Sequence, residues 1–195
     1  MNALPSGLVV IGASAGGIEP LKQIAAGLPA DLDAAVAVVL HVSPTAESRL
    51  PAILERAGPL PAAHARDAEP LAVGRIYVAP PDRHLLAVDG RCAVVCGPRE
   101  NSSRPAIDPL FRSAAAYGSR VVAVILSGMM ADGAAGAALV SSVGGTVIVQ
   151  DPDEAEFPAM PTNAIEREHP DCVLPPAAIP AAIVGVVGRL SLEGA

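Results

Sequence analysis

Tryptophan is absent from the 195 residues, and tyrosine and phenylalanine number only two each. A platform of aromatic side chains for stacking bases or sugars is therefore not expected. The 51% hydrophobic content must come mostly from Ala, Val, Leu and Ile, so the core is built from small and branched side chains. Cysteine is scarce too. Cys92, Cys96 and Cys172 are odd in number, and a Cys-x3-Cys spacing makes no metal site without further ligands. All three read as free thiols, and neither a metal nor a cofactor is expected. No run of about 20 apolar residues is present to span a bilayer. The apolar run 8–11 stops at Gly12, too early for a signal sequence, and no basic segment follows Met1. A soluble, cytoplasmic protein is the expectation.

The formal charge of -7 is unevenly spread. Between Arg49 and Arg120 ten arginines face seven acids, while the acidic excess lies toward the two ends. A partner with an acidic surface suits the middle, and nonspecific nucleic-acid binding by the whole chain is disfavoured. A solvated mixed-charge surface is the plainer alternative. The length is that of one domain, which buries roughly 70% of the surface its unfolded chain exposes.

Residues 8–11 form a short β-branched run ending at glycine, and residues 18–24 follow with helical apolar spacing. A second run, 35–40, ends at His41, with a helical pattern over 48–57. Three short strands, 75–78, 85–88 and 92–95, come next, the last two joined through Asp89-Gly90, a hairpin turn. The whole insert is expected to be antiparallel. Afterwards come a helix opening near Asp108, a strand 121–126, a helix 132–143, a strand 146–149, a helix beginning near Pro161 and a closing helix 177–190. Strands that are apolar throughout suit a parallel sheet covered on both faces. The fold class is α/β: a doubly wound, mostly parallel sheet with helices on both faces and a small antiparallel hairpin insert, in one domain over residues 1–195.

Gly12-Ala13-Ser14-Ala15-Gly16 fits G-x-S-x-G between a predicted strand and a predicted helix, where a sharp turn presents a serine hydroxyl above a sheet. Alone it is ambiguous, because a glycine turn at this place also cradles a dinucleotide pyrophosphate. A dinucleotide site usually carries an acid at the end of the second strand. Here His41 stands there, and Asp132 follows another apolar strand. Serine, imidazole and carboxylate thus all fall just beyond strand carboxyl ends, where open parallel sheets bind ligands. They supply the three parts of a nucleophilic triad. Their order, Ser, His, Asp, differs from that of α/β-hydrolases. The plainer alternatives are a structural histidine at position 41 and, for Asp132, the N-cap of the 133–143 helix.

At these residues the sequence resembles the catalytic domain of the chemotaxis receptor methylesterase family CheB. The resemblance is carried by residues 11–17 around Ser14, 40–44 around His41 and 126–134 around Asp132. Residues 79–85, 104–111, Gln150-Asp151 and Met160-Pro161 extend it in the same order. It implies a cytoplasmic serine hydrolase that removes methyl groups from glutamate methyl esters of methyl-accepting chemoreceptors and secondarily deamidates receptor glutamines. Ser14 would be the nucleophile, His41 the base, Asp132 its orienter and the Met129 backbone amide the oxyanion donor, with a buried core methionine as the competing reading of Met129. Arg83, His84 and Arg104 would line the substrate cleft, with structural ion pairing as their alternative. Ala15 stands where the family commonly has Thr, and Met130-Ala131 where it often shows Gly-Asn. The family's usual receiver domain has no match here, so a stand-alone esterase served by a separate regulatory protein is expected. A nucleotide-binding Rossmann-like module and an inactive receptor-binding adaptor are the alternative functions.

Overall fold

In the computed structural model the described residues are 5–45 and 47–193. The chain alternates strand and helix: β1 (Gly7–Ala13), α1 (Ile18–Gly27), β2 (Ala34–Leu40), α2 (Leu50–Ala57), β3 (Ala62–His64), β4 (Arg75–Val78). The hairpin β5 (His84–Val88) and β6 (Arg91–Val95) follows, then α3 (Ile107–Ala114), β7 (Val121–Ile125), α4 (Ala134–Ser142), β8 (Thr146–Gln150), α5 (Ala159–Glu168), β9 (Cys172–Leu174) and α6 (Ile179–Glu193). Seven strands form one parallel sheet in the order β3-β4-β2-β1-β7-β8-β9. The chain winds outward from β1 in both directions, which puts the switch point between β1 and β7.

Every residue of β1, β2 and β7 is buried, because helices cover both faces. The period-2 geometry of a strand then divides each run between two cores. Leu8 and Val10 join Ile107, Leu110 and Phe111 of α3, Val140 of α4 and Met160 of α5. Val9 and Ile11 join Leu21 and Ile24 of α1, Leu54 of α2 and Ile183 of α6. Almost all of the packing volume is aliphatic, as the lack of aromatics requires; Tyr77 and Phe111 are the largest buried side chains.

The antiparallel insert is smaller than expected. Only β5 and β6 pair antiparallel, through a turn in which Asp89 and Gly90 both have positive φ. The segment 75–78 is instead β4, hydrogen-bonded parallel to β2 and β3 in the main sheet. Its three buried residues, Ile76, Tyr77 and Val78, fit a strand covered on both faces better than a half-exposed hairpin. Two edge strands, β3 and β9, have no sequence signal. Each is three residues long and only partly buried, too short to show a period.

Candidate active site

Three adjacent strands deliver the polar groups to one edge. Ser14 follows β1, His41 follows β2 and Asp132 lies in the loop after β7; β2, β1 and β7 are neighbours. Neighbouring strands lie roughly 4.8 Å apart. The register sets Ala13 opposite Leu40 and Gly12 opposite Ile125, so the chain leaves all three strands at one level. His41 Nδ1 is 3.0 Å from Ser14 Oγ, and His41 Nε2 is 2.7 Å from Asp132 Oδ2. An ionised carboxylate only accepts, so Nε2 carries the ring proton and donates it to Asp132. Nδ1 keeps its lone pair and accepts from the Ser14 hydroxyl.

Sterics explain the glycines around the serine. A Cβ at Gly12 would meet Ile107 Cγ2 at 2.4 Å, so its absence lets the start of α3 lie against β1. Gly16 has φ +70, a conformation that side-chain-bearing residues rarely adopt, and its α-carbon faces Ser127 Oγ and Glu156. The turn is tied to the loop after β7. Ser14 N–H donates to Ser127 O at 3.0 Å, Ser127 Oγ donates to Ala15 O at 2.9 Å, and Phe157 N–H donates to Ser127 Oγ at 3.0 Å. Ser127 N–H in turn donates to Oε1 of buried Gln150 at 2.8 Å.

Asp132 is buried and accepts four hydrogen bonds. Besides His41, these come from Ile107 N–H at 2.7 Å, Asp108 N–H at 3.1 Å and Asn101 Nδ2 at 2.7 Å. Ile107 and Asp108 open α3, so Asp132 caps that helix across the core rather than capping α4, whose N-cap is Gly133. Burial pushes the carboxyl upward, but the bond to His41 and the Ile107 and Asp108 N–H groups more than offset this and hold Asp132 below its ordinary value. Asp108, also buried, accepts from Gly136 N–H in α4 at 2.7 Å and from Asn101 Nδ2 at 2.9 Å. Here burial wins. Despite the Gly136 bond, burial and the negative charge of Asp132 raise the Asp108 carboxyl above its usual range.

Met129 is not a core methionine: its side chain is 56% exposed, and Met160 is the buried one. Among the described residues its N–H finds no acceptor. The preceding Gly128 lies against the serine, since a Cβ there would come within 2.8 Å of Ser14 Cβ. Met130 is 66% exposed, with φ 68, in the region where Gly is at ease.

Arg83, His84 and Arg104 all have partners within the protein. Arg104 makes two bonds to Asp82 Oδ1, from Nε at 2.9 Å and Nη2 at 2.7 Å, and donates to Gly97 O. Arg83 Nη1 donates to Asp82 O at 2.8 Å and lies 3.6 Å from Asp82 Oδ2. His84 is buried, its Nε2 donating to Pro98 O at 2.8 Å and its Nδ1 accepting from Ala106 N–H at 3.2 Å. The cleft beside Ser14, about 440 Å³, is lined by Ala15, Ile18, Leu40, His41, Val42, Glu19 and Glu156, among others. No group of three or more His, Cys, Asp or Glu among the described residues is arranged to hold a metal ion.

The fold and the contact define a doubly wound α/β protein carrying Ser, His and Asp in a bonded row at its switch point. Residues 9–183 match the family model described as CheB methylesterase, and the chain belongs to that family. It is 34% identical over 196 residues to a protein-glutamate methylesterase/protein-glutamine glutaminase of Methanosarcina acetivorans, covering 96% of this chain and 55% of that protein. A protein of the same name from Anaeromyxobacter dehalogenans is 43% identical over 180 residues, covering 90% of this chain and 53% of that protein. The chain thus spans about half the length of these two curated relatives. The crystal structure of the Thermotoga maritima CheB methylesterase catalytic domain superposes with a TM-score of 0.88 at 36% identity, covering 92% of this chain and 98% of that one.

Proposed function

We propose that this chain is a protein-glutamate methylesterase that hydrolyses glutamate γ-methyl esters on the cytoplasmic methylation helices of chemoreceptors. The observation that carries the reading is the unbroken path from Ser14 Oγ through His41 to Asp132, at 3.0 and 2.7 Å. Ser14 attacks the ester carbonyl while Nδ1 of His41 takes its proton, and the imidazolium is stabilised by buried Asp132. The tetrahedral intermediate collapses with release of methanol, which receives the proton from His41. Water activated by His41 then hydrolyses the acyl-enzyme and leaves a glutamate carboxylate. The unpaired Met129 N–H serves the oxyanion; one such preorganised donor supplies roughly 3 kcal/mol in the transition state. A glutamine amide enters by the same route but has a poorer leaving group, so deamidation is the secondary activity. No described helix is long and apolar enough to cross a membrane.

A dinucleotide-binding role fits the cleft poorly. Glu19 and Glu156 both line it next to the glycine turn, where they repel a pyrophosphate. The deciding experiment is release of labelled methanol from receptor membranes carrying methyl-labelled glutamate, together with a phosphonate probe. The expected result is a covalent adduct on Ser14, absent in Ser14→Ala, and a fall in turnover of about 10⁴-fold or more in that variant. Folded protein that neither takes the probe nor releases methanol would instead be an adaptor.

A further inference from the structure

The triad accounts for only one of the two buried acids behind His41. Asp108 lies beside Asp132, and the two carboxylates are joined by a single side chain: Asn101 Nδ2 donates to Asp132 Oδ1 at 2.7 Å and to Asp108 Oδ2 at 2.9 Å. An amide nitrogen has two protons, so both bonds form at once. Asn101 sits in the turn 100–103, whose ends are paired through Glu100 and Ser103, with φ 48. Asparagine is one of the few residues at ease there. Backbone donors complete the set: Asp108 N–H on Asp132 Oδ1, Ile107 N–H beside His41 on Asp132 Oδ2, and Gly136 N–H on Asp108 Oδ1.

We infer that Asn101 is a positioning residue of the hydrolase site: by donating one N–H to each acid its amide offsets the repulsion between the Asp132 and Asp108 carboxylates and so fixes the Asp132 Oδ2 that orients His41. The inference rests on the proposed triad and names a fourth side chain for it. The charged or titratable groups facing the pair are His41 from the end of β2 and, one turn along α3, Arg112. Arg112 is held by Glu100 at 2.8 Å. Neither His41 nor Arg112 bonds Asp108, so the amide is the one side-chain donor between the acids among the described residues. Without it, two buried like charges meet, and either the carboxylate rotates away from the imidazole or one acid must take up a proton.

The experiment is a rescue series on a Glu γ-methyl ester peptide, with thermal unfolding confirming that each variant is folded. Asn101→Ala is expected to lower kcat about 10- to 30-fold with KM within about twofold. Adding Asp108→Asn, which removes one of the repelling charges, is expected to restore at least threefold of that loss. Asn101→Asp, which places a third acid at the site, should be worse than Asn101→Ala at neutral pH, and its kcat as a fraction of the parent's at the same pH should recover as pH is lowered. A residue that merely holds its loop would show neither the rescue nor the pH-dependent recovery. Asn101→Ala with kcat within twofold of the parent, or a loss that Asp108→Asn leaves unchanged, overturns the inference. Absence of turnover in the parent protein itself overturns the triad reading, an outcome distinct from the others.

Discussion

At the scale of single residues, both buried acids behind His41 have every carboxylate oxygen hydrogen-bonded. Because Asp108 is the acid whose burial is least compensated, its charge costs the fold stability. Its folded-state carboxyl is raised above the ordinary value of 3.8. The folded protein therefore binds more protons than the unfolded chain just above that pH, and this contribution to stability falls as pH rises through the raised value. Asp132, held low, works in the opposite sense, its contribution present above 3.8 and lost as pH falls through the depressed value. Asp108→Asn, which keeps an oxygen for Gly136 N–H, is expected to gain Tm relative to the parent on going from about pH 4 to about pH 7. Denaturation scans at the two pH values check this. At the rim, Glu156 lines the cleft unpaired among the described residues, whereas Glu19 is paired with Lys22 at 2.7 Å. Glu156→Gln is expected to raise kcat/KM for ester peptides with neighbouring glutamates about threefold at low salt, and to leave neutral-flanked peptides nearly unchanged. Ser14, His41 and Asp132 were legible in the sequence because each stands just past an apolar strand. The bonds that tie Asn101 to Asp132, Ser127 to Ala15 and Gln150 to Ser127 were not, since a single polar residue carries no period and these partners lie 31, 112 and 23 residues away.

At the scale of elements, α3 is the part that joins fold to site. Its first two N–H groups hold Asp132, and its Ile107 fills the space that Gly12 leaves on β1. Gly12→Ala places a methyl 2.4 Å from Ile107 Cγ2 and must displace the start of the helix. A loss of about 1–3 kcal/mol is expected, and activity should fall with it because Asp132 loses its backbone donors. Ile107→Ala alone leaves a cavity worth about 2–5 kcal/mol. Since the small side chain makes room for the added methyl, the double variant should be at least about 1 kcal/mol more stable than the sum of the two losses predicts, measured by urea unfolding. Nearly every long element was legible from its apolar period, with boundaries a few residues off. The misassigned β4 shows the limit: a four-residue strand beside a true hairpin looks the same in sequence whether it joins the hairpin or the sheet.

At the scale of the whole molecule, the hairpin forms a two-stranded sheet apart from the main one, yet it is packed onto α3 through Leu85, Ala87 and Cys92. Burial, with the nearby charge of Glu69, pushes the Cys92 thiol up to about 12, while Cys96 is exposed. Alkylation at about pH 8 is therefore expected to modify Cys96 in the native protein and to reach Cys92 only on unfolding. If hairpin and sheet form one cooperative unit, the denaturant midpoint of Cys92 labelling coincides with that of helix loss by circular dichroism. Early labelling would show a hairpin that opens separately. The sequence by itself determined the α/β alternation, the glycine turn at Ser14 and the strand-end places of the three polar groups. All of these are local consequences of burying apolar side chains with a fixed period. Only the tertiary structure decided the strand order, the helix that Asp132 caps, the His41 nitrogen that meets Ser14 and the amide that joins the two buried acids. Those depend on sheet register and on loops meeting across the core, and short-range pattern carries no information about which distant groups will share a hydrogen bond.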